Sequence, residues 1–164
     1  MYFVMTKKST APVNINSNII STTTPNNAVS NSNEYKNTEY AFSIILPLSW
    51  KGHTVIEDEW EGDSLDANGQ VKTGSVKGPL ISIRHPDWEY KAPRQDIPIM
   101  VFTINQWSDV QADKLHVGAA PINPNEIGRN SKYVFAIPAR YNFAYLTGYE
   151  EVDQIIRGDN FRAF

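Results

Sequence analysis

Apolar and polar positions alternate through residues 34–46, with Phe42, Ile44 and Leu46 on one side and Ala41, Ser43 and Ile45 on the other. That period of two predicts a strand with one strongly apolar face. Pro47 ends it, and Pro47-Leu48-Ser49-Trp50 is expected to turn the chain and return Trp50 to the core. Residues 53–60 predict a second strand centred on Val55 and Ile56. Glu57, Asp58, Glu59 and Glu61 crowd its end, charge that suits an exposed or edge strand. Residues 62–78 carry four glycines and the Asn68-Gly69 pair of a type I′ hairpin turn. In residues 80–85 a third strand places Ile81, Ile83 and His85 on one face and Ser82 and Arg84 on the other. Residues 97–104 differ, because Ile97, Ile99 and Val101 alternate with Met100, Phe102 and Ile104. A strand apolar on both sides predicts a central position with layers above and below.

Thr103 and Gln106 have the spacing of a capping box, so a helix should follow directly, with Ile104, Trp107 and Val110 on its buried side. Residues 115–129, with Pro121 and Pro124, read as a long connection. Tyr133, Phe135 and Ile137, then Tyr141, Phe143 and Tyr145, predict two further strands around Pro138-Ala139. Thr147 and Glu150 have capping-box spacing before a helix that carries Tyr149, Val152, Ile155 and Ile156 on one face and stops at Gly158. Five to six mostly consecutive strands with two to three helices imply an α+β fold, a mainly antiparallel sheet with helices packed on it.

Composition sets the boundaries. From residue 9 to 33, 16 of 25 residues are Ser, Thr or Asn, with no charge and no aromatic. Such a stretch cannot offset its chain entropy by burial, so residues 1–33 read as a disordered tether. Residues 34–158 form one domain and 159–164 a loose tail. The net charge of −3, with both signs interspersed, gives no field that favours nucleic acid or an anionic membrane. Cysteine is absent, which removes disulfides, thiolate metal sites and cysteine nucleophiles together. No run approaches the roughly 20 apolar residues of a membrane span. Residues 2–5 are too short for a signal-peptide core, so the chain as written carries no export signal.

Most sharp chemistry is missing. His53, His85 and His116 lie far apart in sequence and have no second ligand at metal spacing. Residues 69–75 have the glycines of a phosphate loop without its lysine. Residues 64–75 resemble a calcium loop with Ser64 and Ser75 in place of two charged ligands. The acidic run 57–66 reads as a solvated edge and hairpin, and no Gly-x-Ser-x-Gly elbow occurs. Neither a metal nor a cofactor is expected. The one concentration of interest is residues 84–96. Trp88 and Tyr90 offer faces for stacking, while Arg84 and Arg94 offer forked donors for a carboxylate or phosphate. Arg84, His85, Trp88, Tyr90, Arg94 and Asp96 are therefore candidate contact residues, joined by Arg140 and Tyr141 at the same end of the sheet. A competing expectation is that the loop buries its own aromatics and pairs Arg94 with Asp96.

The run Tyr40-Ala-Phe42-Ser-Ile-Ile-Leu-Pro47-Leu-Ser-Trp50 resembles the opening of the PsbP/Mog1-like superfamily of small α+β domains. Trp60-Glu-Gly62 and the stretches 78–86, 93–100 and 128–141 are similar to a family of exported proteins and lipoproteins of Gram-positive, spore-forming bacteria. That likeness covers roughly residues 35–156. It implies an extracytoplasmic domain of the cell envelope on a polar linker, with no catalytic residue to carry over. The chain departs from the family in lacking the signal segment and the lipid-bearing cysteine. The functional expectation is a non-catalytic binding or interaction module with a protein or small-molecule partner of the envelope. The alternative is a hydrolase assembled around His85 with Asp87, Asp96 and a distant Ser or Tyr. A third class is a structural envelope component that self-assembles through exposed aromatics.

Overall fold

A computed structural model describes residues 32–118 and 122–164. All but the last two residues of the expected tether lie outside them. Nine strands and two helices occur among the described residues: β1 (Ser32–Asn37), β2 (Phe42–Pro47), β3 (Thr54–Leu65), β4 (Val71–Arg84), β5 (Ile97–Thr103), α1 (Ile104–Gln111), β6 (Leu115–Val117), β7 (Asn125–Arg129), β8 (Tyr133–Ile137), α2 (Tyr149–Arg157) and β9 (Phe161–Ala163). A 3-10 turn at Leu48–Trp50 follows β2. One sheet has the order β6-β3-β4-β5-β8-β7 and a smaller one the order β1-β2-β9. Every pairing between these strands is antiparallel. The class is α+β with mainly antiparallel sheet, as the alternation implied, but with more strands than the five to six expected.

The large sheet is covered on both faces. Against one face pack the small sheet and α2, where Phe42, Ile44, Leu46 and Trp50 meet Ile81, Ile83, Ile97, Ile99, Val101, Phe135 and Ile137, with Val152 and Ile155 from the helix. On the other face α1 brings Trp107 and Val110 onto Met100, Phe102, Val134 and Ala136, beside Trp60, Leu115 and Val117. β5, paired with β4 and β8, feeds alternate residues into both cores, which is why both of its faces are apolar. The capping box forms: Thr103 Oγ1 accepts from the Gln106 amide at 3.2 Å, and Gln106 Oε1 accepts from the Thr103 amide at 2.8 Å. Such a pair stabilises the helix start by about 1 kcal/mol.

Several expectations are corrected. Residues 34–46 are two strands rather than one, folded back at residues 38–41 through Ala41 at φ 58°. β1 begins at Ser32, inside the expected tether. β3 and β4 form one long hairpin turned by Asp66, whose carboxylate accepts from the amides of Asn68 and Gln70 at 2.8 and 2.9 Å. β3 is an edge only up to Glu61, because β6 pairs with Gly62–Ser64. Ile104 is 39% exposed rather than buried. The long connection at 115–129 contains β6 and β7. Residues 141–145 are successive turns, not a strand, with Arg140 at φ 56° and Tyr145 at φ 48°. α2 is capped by Gly148 at φ 82° with no side-chain cap, so Thr147 and Glu150 make no capping box. The tail is not loose: β9 pairs with β2, and Phe161 stacks on Phe42. No helix of the described residues is long and apolar enough to cross a membrane.

Candidate functional site

The register sets what the 84–96 loop does with its charges. Ile83 is opposite Ile97, which places Arg84 and Asp96 next to each other where the loop leaves and re-enters the sheet. The Arg84 guanidinium takes Asp96 with two nitrogens: the terminal nitrogen lies 2.8 Å from Oδ2, and Nε lies 3.2 Å from both carboxylate oxygens. The face of the same guanidinium lies 4.0 Å from the centroid of a Trp88 ring. Arg84, Asp96 and half-buried Trp88 are thus committed to one another. A turn closed by the Glu89 and Ala92 bridge carries Tyr90 at its tip, 89% exposed.

His85 and Arg94 point inward. His85 is only 3% exposed, and its ring meets Trp50 edge to face at 5.0 Å. Its Nδ1 accepts the Asp87 backbone N–H at 3.1 Å, so the single proton of the neutral ring resides on Nε2. Burial first, then the nearby Arg94 cation, holds its pKa below the ordinary histidine value, while Asp87 and Glu151 oppose the shift. Arg94 lies 3.8 Å from Glu151, which also accepts from the Ser49 hydroxyl at 2.8 Å. Backbone contacts add to this tie, since Arg94 bridges Thr147 and the Gln95 amide donates to Thr147 O at 2.9 Å. Four buried side-chain atoms lack a partner among the described residues: Trp50 Nε1, His85 Nε2, Arg94 Nε and Gln95 Oε1. Three of them belong to His85 or its immediate surroundings. This arrangement does not make His85 a general base. Its only hydrogen bond is to backbone, the Asp87 carboxylate is 3.8 Å away, and Asp96 is held by Arg84.

Arg140 and Tyr141 lie in the turn that leaves β8 and leads to Thr147, so the Arg94 bridge joins their segment to the 84–96 loop. Together with Asn125, Asn142, Ile122 and one face of α2 they line a groove of about 560 Å³. The Tyr141 hydroxyl donates to Asp153 at 3.3 Å, and Arg157 pairs with the same residue at 2.7 Å. Burial and the Asp153 charge push the Tyr141 phenol up to about 12, so it stays a donor. Arg140 is exposed and has no ion pair among the described residues. Beside it Phe143 and Tyr145 are 77% and 71% exposed. Sequence reasoning missed Asp153 and Arg157 as groove residues. The four-residue spacing of Asp153 and Arg157 was their only visible signal.

The acidic run lines a second depression with Glu39 and Tyr40. Lys77 neutralises part of it, at 2.5 Å from Glu61 and 3.6 Å from Glu59. Among the described residues no group of His, Asp and Glu is arranged to hold a metal ion. The chain matches no protein-family model, no curated protein and no solved structure. The domain presents an antiparallel α+β scaffold with two joined loops and an open groove beside α2.

Proposed function

We propose that this is a non-catalytic binding module whose contact surface is the groove between the 138–142 turn and α2, flanked by Phe143 and Tyr145. The observation that carries the reading is an exposed guanidinium, Arg140, with no ion pair among the described residues, at the mouth of a groove of about 560 Å³. Its forked donors fit a carboxylate. The Asn125 and Asn142 carboxamides each offer a donor and an acceptor, which suits a peptide backbone. Ile122, 54% exposed, and Ile156 supply apolar contact. The matching ligand is a short peptide with an acidic group next to an apolar side chain.

The resemblance to PsbP/Mog1-like domains and to exported envelope proteins is part of the same proposal. The covered antiparallel sheet supports it at the level of class, and the Ser, Thr and Asn-rich stretch before the domain supports an extracytoplasmic place. Fractionation of cells that make the protein tests the location.

Titration with N-acetyl-leucyl-aspartate, followed by amide chemical shifts, tests the groove. Shifts are expected at residues 122–125, 139–142 and 153–157. They should be weaker with N-acetyl-leucyl-asparagine, and the difference should vanish in Arg140→Gln. Equal responses to both dipeptides, or none in the groove, would overturn the proposal.

A further inference from the structure

His85 sits where the 84–96 loop, the 3-10 turn and the start of α2 meet. Nδ1 is an acceptor and holds the Asp87 amide at 3.1 Å. The His85 carbonyl accepts the Trp88 amide at 3.1 Å. One residue thus closes the turn twice, once by its ring and once by its backbone. We propose that His85 is an acid-operated latch on the 84–96 loop, whose protonation at Nδ1 expels the Asp87 amide and opens the turn that carries Trp88 and Tyr90.

The step is a single proton taken from solvent. Nε2 already carries a proton, so the second must go to Nδ1, which changes from acceptor to donor. Two N–H groups then face each other across a hydrogen-bond distance, and the turn cannot keep its shape. The charged groups facing the ring are Arg94 in the same loop, Asp87 in the turn and Glu151 from α2. Trp50, from the 3-10 turn, adds an uncharged ring. Arg94 opposes the new charge from the buried side. The Asp87 carboxylate is 3.8 Å from Nδ1 and its side chain is 75% exposed, free to rotate inward and accept the new proton's hydrogen bond. The two arrangements exchange one Asp87 group for another on the same ring atom, which gives the turn two defined states. The Arg84 pair with Asp96 and the Arg94 bridge to Thr147 lie outside the turn, so the opening is confined to about residues 85–92.

The sign follows from burial. The folded state holds the ring neutral more strongly than the unfolded chain does, so the closed turn is fully favoured above the unfolded value of 6.5 and is lost as pH falls below it. Amide hydrogen exchange by NMR on the full chain, between about pH 7.5 and about pH 4.5 and corrected for intrinsic rates, reads the latch directly. Protection of the Asp87 and Trp88 amides should fall by about tenfold or more on acidification, while the Phe102 and Val134 amides of the core keep theirs. Asp87→Asn removes the carboxylate that favours the charged ring, so its transition should move to lower pH. His85→Asn puts a carboxamide oxygen near the place of Nδ1 and should give a flat profile. Should His85→Asn fail to fold, the Asp87→Asn shift decides. Unchanged protection in the wild-type chain, an unshifted Asp87→Asn transition, or simultaneous loss of core protection would each overturn the latch.

Discussion

Arg84 uses two parts of one guanidinium, its edge on Asp96 and its face on Trp88. A lysine keeps the charge but can make neither contact in that form. Arg84→Lys should therefore lower stability by about 1–2 kcal/mol, read as a shift in urea midpoint with an unchanged slope. An unmoved midpoint would show that the pair is only a surface ornament. Gly78 makes a second case. It lies opposite Trp60, whose ring covers it and donates Nε1–H to Val101 O at 2.9 Å. An added Cβ would sit inside the indole. Gly78→Ala should cost about 1–3 kcal/mol by the same measurement, with loss of the Trp60 and Phe102 stack in near-ultraviolet circular dichroism. At this scale the candidate residues were legible as a concentration but not as an arrangement. Nothing in the order Arg84 to Asp96 says that they face each other; the register of Ile83 with Ile97 does. The expected pairing of Arg94 with Asp96 does not form, because Arg84 takes Asp96 and Arg94 lies beside Glu151, while Tyr90 is the loop's exposed aromatic.

Elements were legible where a periodic pattern was long enough to outweigh local accident. β5 and α1 are such cases, with seven residues apolar on both faces leading straight into a complete capping box. β9 is the opposite case, three residues whose only strong signal is Phe161. It exists because Gly128 leaves room for that ring, and because Phe42 and Phe135 receive it at 5.4 and 5.3 Å. Phe161→Ala should cost about 2–4 kcal/mol and release β9 from β2, seen as loss of exchange protection where Ser43 pairs with Arg162. If stability is retained, the tail is an accessory rather than part of the fold. The turn at 138–146 misled for another reason. Tyr141, Phe143 and Tyr145 alternate as a strand would, but Arg140 and Tyr145 adopt left-handed conformations that reverse the chain. Backbone φ at a non-glycine residue leaves no trace in residue type, so the exposed aromatics of the groove rim read as core.

At the level of the whole molecule, the two cores are not independent bodies, because β5 and β8 contribute alternate residues to each. Ile99 belongs to the core under the small sheet, while its neighbour Met100 belongs to the core under α1. Removing one face of β5 should thus weaken both. Ile99→Ala leaves a cavity on the small-sheet side and should cost about 2–4 kcal/mol. The aromatic stack on the opposite face, Trp60 on Phe102 at 4.4 Å and Phe102 beside Trp107 at 5.3 Å, makes no contribution to that cavity. Its near-ultraviolet signal should nevertheless disappear at the same lowered urea midpoint as the far-ultraviolet signal of the sheet. A stack that outlasted the sheet signal would mean that α1 and its core persist alone and that β5 does not couple the layers. Coincident transitions would place the groove and the acid-sensitive loop on one cooperative scaffold. Opening the turn at His85 would then be a local event on a folded domain, and acid would change the presented surface without dissolving the fold that presents it.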